Sequence, residues 1–353
     1  MSTQFEKYLD QKIKEAIPGV TPGLVLQVHR QGRKIADLSV GDVYPYYDLA
    51  SLTKIIFTTT AMMKAYELKK WNETTTVASL VGWFPFADVK IVDLLNHRSG
   101  LVWWKDFYHH ISLDDSIFEK WAVVARILRE QPLQVSEKSV YSDVGFLTLA
   151  FVLESLYEAP LMDIWTDLKQ EFFPGSTLEF HENNEVLKKS SLYAPTERCQ
   201  WRGRLLQGQV HDENAWSLGG VSTHAGLFGS VDDVSWFGLF LRGQFAGISR
   251  TSLKQKTVQK FAQRSLPVSE GDWGWGFMLP TLGSASCGKY FSEKSFGHTG
   301  FTGTSWWYDP TQDLSVSLLS NRVFLGRENK EFVKLRPQIH NWIVEGLRFA
   351  SRS

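Results

Sequence analysis

Ser51 and Lys54 are the residues of this 353-residue chain best placed by type and spacing to do chemistry. A serine hydroxyl attacks a carbonyl only after a neighbour has taken its proton, and a lysine amine serves once burial or a nearby positive charge brings its pKa down. Positions i and i+3 share a face on a helix. Ile55, Ile56, Thr59, Met62, Met63 and Tyr66 follow at helical spacing and Lys69-Lys70 close the run, whereas Tyr44-Pro45-Tyr46-Tyr47 ahead of it reads as extended. Ser51 is therefore expected at a helix N-terminus, among free backbone N–H groups. A second such pair, Ser286 and Lys289, lies in turn-forming sequence that runs into Tyr290-Phe291, with no helix to aim its serine.

Other segments carry reactive groups in weaker settings. Tyr141-Ser142-Asp143 precedes the apolar run Val144 to Tyr157 and by itself reads as a capped helix start. His298-Thr299-Gly300, followed by Phe301-Thr302-Gly303-Thr304, reads alone as a turn at the end of a strand. His211, Asp212, Glu213 and His224 are metal-ligand types, but without a His-Glu-x-x-His or comparable spacing they read better as a loop bracing a site. Neither a metal nor a cofactor is expected. Gly283 to Lys289 nearly spells a phosphate loop, yet Tyr290 stands where a magnesium-binding Ser or Thr is needed and no helix follows. A Gly-x-Ser-x-Gly elbow is missing, which argues against an α/β-hydrolase.

These residues need a scaffold. Phe5, Leu9, Ile13 and Ile17 form one stripe of a charged amphipathic helix that ends at Pro18-Gly19. Gly23 to His29 and Ile35 to Val40, joined by Arg30-Gln31-Gly32-Arg33, signal a hairpin. From Trp71 to about Gln209 the sequence is mainly helical: Ile91 to Leu95, a wet loop at Asn96 to Gly100, Trp121 to Arg129, then Val144 to Tyr157. Strand character returns at Trp273 to Leu279, Tyr290 to Phe296, Thr304 to Tyr308 and Leu314 to Leu319, and a helix from Gln338 to Ala350 closes the chain. Sheet at both ends with helices between predicts a split domain, 1–70 with 250–353, carrying a mostly helical insert, 71–249.

The 38 basic and 38 acidic residues balance, so nothing steers the protein to nucleic acid. The N-terminal stretch lacks the apolar run of a signal peptide and no segment reaches the roughly 20 apolar residues of a membrane span, so a soluble, cytoplasmic protein is expected. Cys199 and Cys287 make neither a disulfide framework nor a zinc spacing. Aromatic residues amount to 14%, with 14 tryptophans, more than a core needs; some are expected in a pocket wall. Trp103-Trp104 either line its rim or pack the helical lobe.

Taken in order, Ser51-x-x-Lys54, Tyr141-Ser142-Asp143 and His298-Thr299-Gly300 resemble the three elements of the serine β-lactamase and penicillin-binding-protein family: a Ser-x-x-Lys helix, a Tyr or Ser turn and a Lys-Thr-Gly strand. Tyr in the second element and His in the third are similar to the class C β-lactamase branch with its DD-peptidase and esterase relatives. Leu94 to Leu101, Val210 to Ala215, Gly219 to Gly229 and Gly300 to Thr304 also look like that branch. The resemblance implies an α+β fold of the β-lactamase/DD-peptidase type, an antiparallel sheet flanked by terminal helices with a mostly helical inserted domain. It implies a serine hydrolase forming an acyl-enzyme on Ser51, with Lys54 or Tyr141 as base and His298 helping to hold Tyr141. The oxyanion would be bound by the backbone N–H groups of Ser51 and Phe301. Asp143, Thr299 and Gly300 would meet the substrate, a small molecule or peptide: an ester or D-amino-acid amide, with small esters or cell-wall-derived peptides favoured over β-lactams.

Two departures bear on that expectation. Asp143 stands where relatives active on β-lactams usually have Asn, and an ionised carboxylate only accepts hydrogen bonds, so it is expected to accept from Lys54 or a substrate N–H. His298 replaces the commoner Lys and is expected to place a pH inflection near 6 to 7, the ordinary histidine range. The competing class is a non-catalytic binding or scaffold protein that keeps the fold.

Overall fold

The computed structural model describes residues 3–134, 136–182, 189–249 and 251–350. Helix α1 (Gln4–Ala16) opens with a capping box, the Thr3 hydroxyl accepting from the Glu6 N–H while the Glu6 carboxylate accepts from the Thr3 N–H. Strands β1 (Gly23–Arg30) and β2 (Arg33–Gly41) form the expected hairpin. Its loop residues Gln31 and Gly32 both have positive φ, 53° and 76°, as a type I′ turn requires and as the twist of paired strands favours. Five further helices matter to the site: α2 (Thr60–Glu67), α3 (Asp143–Tyr157), α4 (Glu213–Ser217), α5 (Val231–Phe245) and α6 (Glu331–Ala350). Strands β3 (Phe296–Thr299), β4 (Ser305–Asp309) and β5 (Leu314–Ser320) complete a five-stranded antiparallel sheet in the order β2-β1-β5-β4-β3.

Alternation within β1 and β5 decides what covers each face. Leu24, Leu26 and Val28 with Leu314, Val316 and Leu318 point to one side, where Phe5, Leu9 and Ile13 of α1 and Phe332, Ile339 and Ile343 of α6 bury them. Ser315 and Ser317 point to the other, and their small size lets α5 come close. Ser235 of α5 donates to Ser317 at 3.0 Å, and the buried Gln27 of β1 donates to Asp232 at 2.7 Å. Helix α5 thus lies on the sheet, although the sequence reading counts it in the helical insert, because its Ser235 and Gly238 match serines and not a second apolar surface. On that side α2 and α3 share one large apolar core, with α3 buried on nearly every side.

Three expected elements differ. Residues 273 to 279 form isolated bridges (Trp273 with Met278, Met278 with Gly297) around a turn at Gly276, whose φ is 85°, and not a strand. Strand β3 begins only at Phe296, because the preceding segment is tied to Asp309 by the Ser292 N–H and hydroxyl. Helix α6 starts at Glu331 and runs through Pro337. The carbonyl four residues earlier that Pro337 cannot serve belongs to Val333, which is 45% exposed and reaches water. Half of the 14 tryptophans are buried, and Trp165, Trp306 and Trp307 fully so. Among the described residues no single helix is long and apolar enough to cross a membrane.

Gly238 tests this packing. A Cβ there would lie 2.2 Å from Trp306 Nε1, which is itself fixed by donating to Ser315 at 3.0 Å. Alanine normally favours a helix over glycine, yet Gly238→Ala is expected to destabilise by about 1–3 kcal/mol through overpacking, read by denaturant unfolding.

Candidate active site

The approach to Ser51 is set by Asp48. Tyr47-Asp48 pairs with Leu227–Gly229, and the buried Asp48 carboxylate accepts from the Ala50 N–H at 2.8 Å and the His211 N–H at 2.7 Å. Ala50 is held in the left-handed region, φ 47°, which a residue with a Cβ adopts only when its surroundings impose it. The chain turns sharply there and Ser51 emerges as the helix begins. That helix opens as a π-helix, Lys54–Thr59, before continuing as α2, where the sequence spacing predicted regular α-helix. Threonines account for the difference: Thr60 donates to the Ile55 carbonyl at 3.1 Å and Thr58 to the Thr223 carbonyl at 2.6 Å, pulling the turn wider.

Lys54 is fully buried, and its amine has three acceptors: Ser51 Oγ at 2.9 Å, the His224 carbonyl at 2.8 Å and Asp143 Oδ1 at 2.7 Å. The Asp143 contact is an ion pair made side-on, without a well-directed hydrogen bond to that oxygen. Burial pushes the Lys54 pKa below its ordinary value, against the carboxylates of Asp143 and Asp212, which favour the ammonium. From its other side Ser51 Oγ meets Tyr141 Oη at 2.8 Å. Burial, with the Asp143 charge beside it, raises the Tyr141 pKa well above the usual phenol range.

Helix α3 supplies Tyr141 and Asp143 through its cap. Ser142 is the N-cap, accepting from the Gly145 N–H at 2.9 Å and donating to the Val102 carbonyl at 2.8 Å, while the Asp143 N–H donates to the Trp103 carbonyl at 2.9 Å. His97 completes the mount. Its Nδ1 accepts from the Ser142 N–H at 3.0 Å, and its ring packs on Tyr141 and, edge-on, on Trp273 at 4.2 Å between centroids. The Asn96 to Gly100 loop, expected to be wet, is therefore largely buried, with His97 at φ 61° turned inward. Trp273 also stacks on Tyr141, at 5.8 Å between centroids. Neither residue was among the expected site members; the Leu-Leu-Asn-His-Arg-Ser-Gly stretch was the available signal for His97.

His298 stands beside the phenol ring, 6.0 Å between centroids, and its Nδ1–H donates to the Thr299 carbonyl at 2.8 Å. Its Nε2 has no hydrogen-bond partner among the described residues, and neither it nor Lys54 bonds the Tyr141 hydroxyl, contrary to the expected hold on that group. Burial, helped by Lys54, lowers the His298 pKa to about 3. The ring is neutral across the physiological range, so the expected inflection near pH 6 to 7 does not come from His298.

Gly300 brings β3 against the Ser51 turn: a Cβ would lie 2.0 Å from Thr304 Oγ1 and 2.7 Å from the Leu49 carbonyl. Thr302 and Thr304 donate to the Asp48 and Leu49 carbonyls at 2.8 and 3.0 Å, stitching the turn to the approach to Ser51. Phe301 lies in that turn and not on the strand; it is 47% exposed, stacks on His211 and lies beneath the Arg322 guanidinium. Among the described residues neither the Ser51 nor the Phe301 N–H is engaged in a hydrogen bond. Trp103 is 58% exposed and Trp104 half-buried beside it.

The rival clusters resolve into pairs. His211 faces Glu197, His224 faces Asp212, and Arg327 donates to both Glu197 and Glu213, at 2.5 and 2.6 Å. Glu197, Cys199 and Glu213 lie close enough to hold a metal, but Arg327 already supplies the positive charge there. Ser286 meets the Met278 sulfur, not Lys289.

A family model described as Beta-lactamase matches residues 9–336. The chain belongs to the β-lactamase family. An N-acetylmuramyl-L-alanine amidase of Bacillus subtilis (strain 168) is 30% identical over all of this chain and 87% of its own length. A putative D-alanyl-D-alanine carboxypeptidase of Salmonella gallinarum is 28% identical over 78% of this chain and 69% of its own. Among solved structures, EstCE1, a hydrolase with promiscuous acyltransferase activity, aligns at TM-score 0.70 and 19% identity over 96% and 98% of the two chains. A class C β-lactamase from Rhodobacter sphaeroides aligns at 0.67 and 16% over 96% and 99%, which shows the fold. This β-lactamase-family protein is a serine hydrolase.

The neutral, buried His298 gives a direct test. Its imidazole NMR signals are expected to stay fixed between pH 5 and 8; a titration midpoint inside that window contradicts the environment described here.

Proposed function

We propose that Ser51 is the nucleophile, Lys54 its base and Tyr141 the group that protonates the leaving group. The observation that supports this most is that Lys54 Nζ and Tyr141 Oη approach the same hydroxyl oxygen, at 2.9 and 2.8 Å. Between the two candidate bases the electrostatics favour Lys54, because burial makes its amine easier to deprotonate and the Tyr141 phenol harder. Ser51 Oγ bonds the substrate carbonyl carbon and passes its proton to Lys54. The carbonyl oxygen takes the negative charge between the unengaged N–H groups of Ser51 and Phe301. Tyr141 then gives its proton to the departing nitrogen or oxygen, leaving an ester on Ser51. Water attacks that ester, the Tyr141 phenolate takes its proton, and the Lys54 ammonium returns a proton to Ser51 Oγ as the acid product leaves.

The acyl donor in this reading is an ester or an amide of a cell-wall-type peptide. The bonds named for the Bacillus and Salmonella relatives, N-acetylmuramyl-L-alanine and D-alanyl-D-alanine, are the candidates. Asp143, with Lys54 on one oxygen, has the other to accept from a substrate N–H, which suits an amide better than a β-lactam whose carbonyl needs a donor. Thr299 and Gly300 line the strand edge along which such a substrate would lie, and Trp103 and Trp104 its rim. A cytoplasmic location belongs to the same reading, supported by two unpaired, buried cysteines.

Labelling with a fluorophosphonate tests the assignment: the adduct is expected on Ser51, to vanish in Ser51→Ala, and to form roughly 10²–10⁴-fold more slowly in Lys54→Ala. Labelling at a different serine, or none at any pH, favours a retired scaffold. The labelling rate is expected to rise with pH along a limb lying below the ordinary lysine value of 10.5, since the neutral amine is the active form. Trp104→Ala is expected to raise KM for a nitrophenyl ester with the melting temperature nearly unchanged; the reverse pattern assigns Trp104 to packing.

A further inference from the structure

His224 gives Lys54 only its backbone carbonyl, which any residue type offers, yet the site places a histidine there. The ring is 1% exposed and both nitrogens are engaged: Nδ1 with Ser222 Oγ at 2.8 Å and Nε2 with Asp212 Oδ1 at 2.9 Å. The same Asp212 oxygen accepts from the Ala215 N–H at 2.8 Å, so the carboxylate is fixed by the start of α4. The neighbouring backbone is stitched to the nucleophile helix, Thr58 donating to the Thr223 carbonyl at 2.6 Å and the Leu227 N–H to Thr53 Oγ1 at 3.1 Å. The ring bonds therefore aim one carbonyl.

We infer that Asp212 and His224 are positioning residues for Lys54: Asp212 and Ser222 clamp the His224 ring so that its carbonyl seats the amine against Ser51, and Asp212 adds a second carboxylate charge behind that amine. The inference rests on the reading of Lys54 as the base of Ser51. The groups facing Lys54 are Ser51, Tyr141 and Asp143, with His97 and His298 within electrostatic reach; Asp212 contacts His224 and lies within electrostatic reach of Lys54, Tyr141 and Asp48. The Asp212 charge favours the protonated form of both Lys54 and Tyr141. Removing it therefore moves the activity limb to lower pH whichever of the two gives rise to it.

The test uses the full chain and the pH dependence of the fluorophosphonate labelling rate. Asp212→Asn keeps an oxygen for Ala215 and His224 but loses the charge; its acid limb is expected about one unit below that of the unmodified protein. Ser222→Ala keeps the charge and releases one side of the ring; its plateau rate is expected to fall several-fold with the limb unmoved and the melting temperature little changed. A limb displaced by less than about 0.3 unit in Asp212→Asn overturns the electrostatic half. An unchanged plateau in Ser222→Ala overturns the clamp, and that variant decides alone if Asp212→Asn does not fold. Absence of Ser51 labelling in the unmodified protein defeats the catalytic reading instead, so the two failures are told apart.

Discussion

A lysine amine taken wholly out of water has to find three acceptors and a counter-charge, and this requirement organises the site. Lys54 finds them in a serine one turn back, a carboxylate from the start of α3 and a carbonyl from the 222–227 segment. Three distant parts of the chain are thereby held to one nitrogen. The same burial that demands these partners also weakens the hold on the proton, which Asp143 and Asp212 partly restore. Structural satisfaction and chemical poise are set by the same few groups, so a change in any of them alters both.

Backbone strain does the complementary work on Ser51. Left-handed Ala50, anchored by Asp48, and the π-turn from Lys54 to Thr59 are both locally unfavourable and adjacent to the reacting atoms. They persist because Thr302, Thr304 and the Leu227–Gly229 strand fasten the turn from other elements. The sheet that supplies Thr302 and Thr304 is in turn seated by α5 through Ser235 and Gly238, so packing far from Ser51 reaches the site through a continuous set of contacts.

The sequence disclosed what rests on local rules. The Gln31-Gly32 hairpin, the strand at Leu314 to Leu319, the α1 stripe and the Ser-x-x-Lys spacing each follow from a few neighbouring residues, and all four stand in the structure. What it did not disclose depends on tertiary surroundings. His97 looks polar and loop-bound, but its loop is buried because Ser142 needs an acceptor for its N–H. Pro337 looks like a helix boundary, but its missing hydrogen bond falls on a solvent-facing turn. His298 looks like a titrating switch at neutral pH, yet burial beside a lysine removes its proton. Asp48 gave no motif, and Asp212 stood only in a loop expected to brace a site; what each of them holds appears only once the His211 N–H and the His224 ring are seen folded against them.

The charge pattern that results bears on substrate choice. Where the family's third element commonly presents a lysine, this chain presents a buried histidine with the Arg336 guanidinium behind it at the Gly300 carbonyl, and the carboxylates of Asp143 and Asp212 act on Lys54. A substrate carboxylate placed near Ser51 would meet no free cation on β3 and would face Asp143 across the cleft. An amide or ester whose nearest polar group is an N–H would instead find an acceptor there. If Asp143 and β3 meet the substrate as proposed, the two departures from the lactamase pattern act in the same direction.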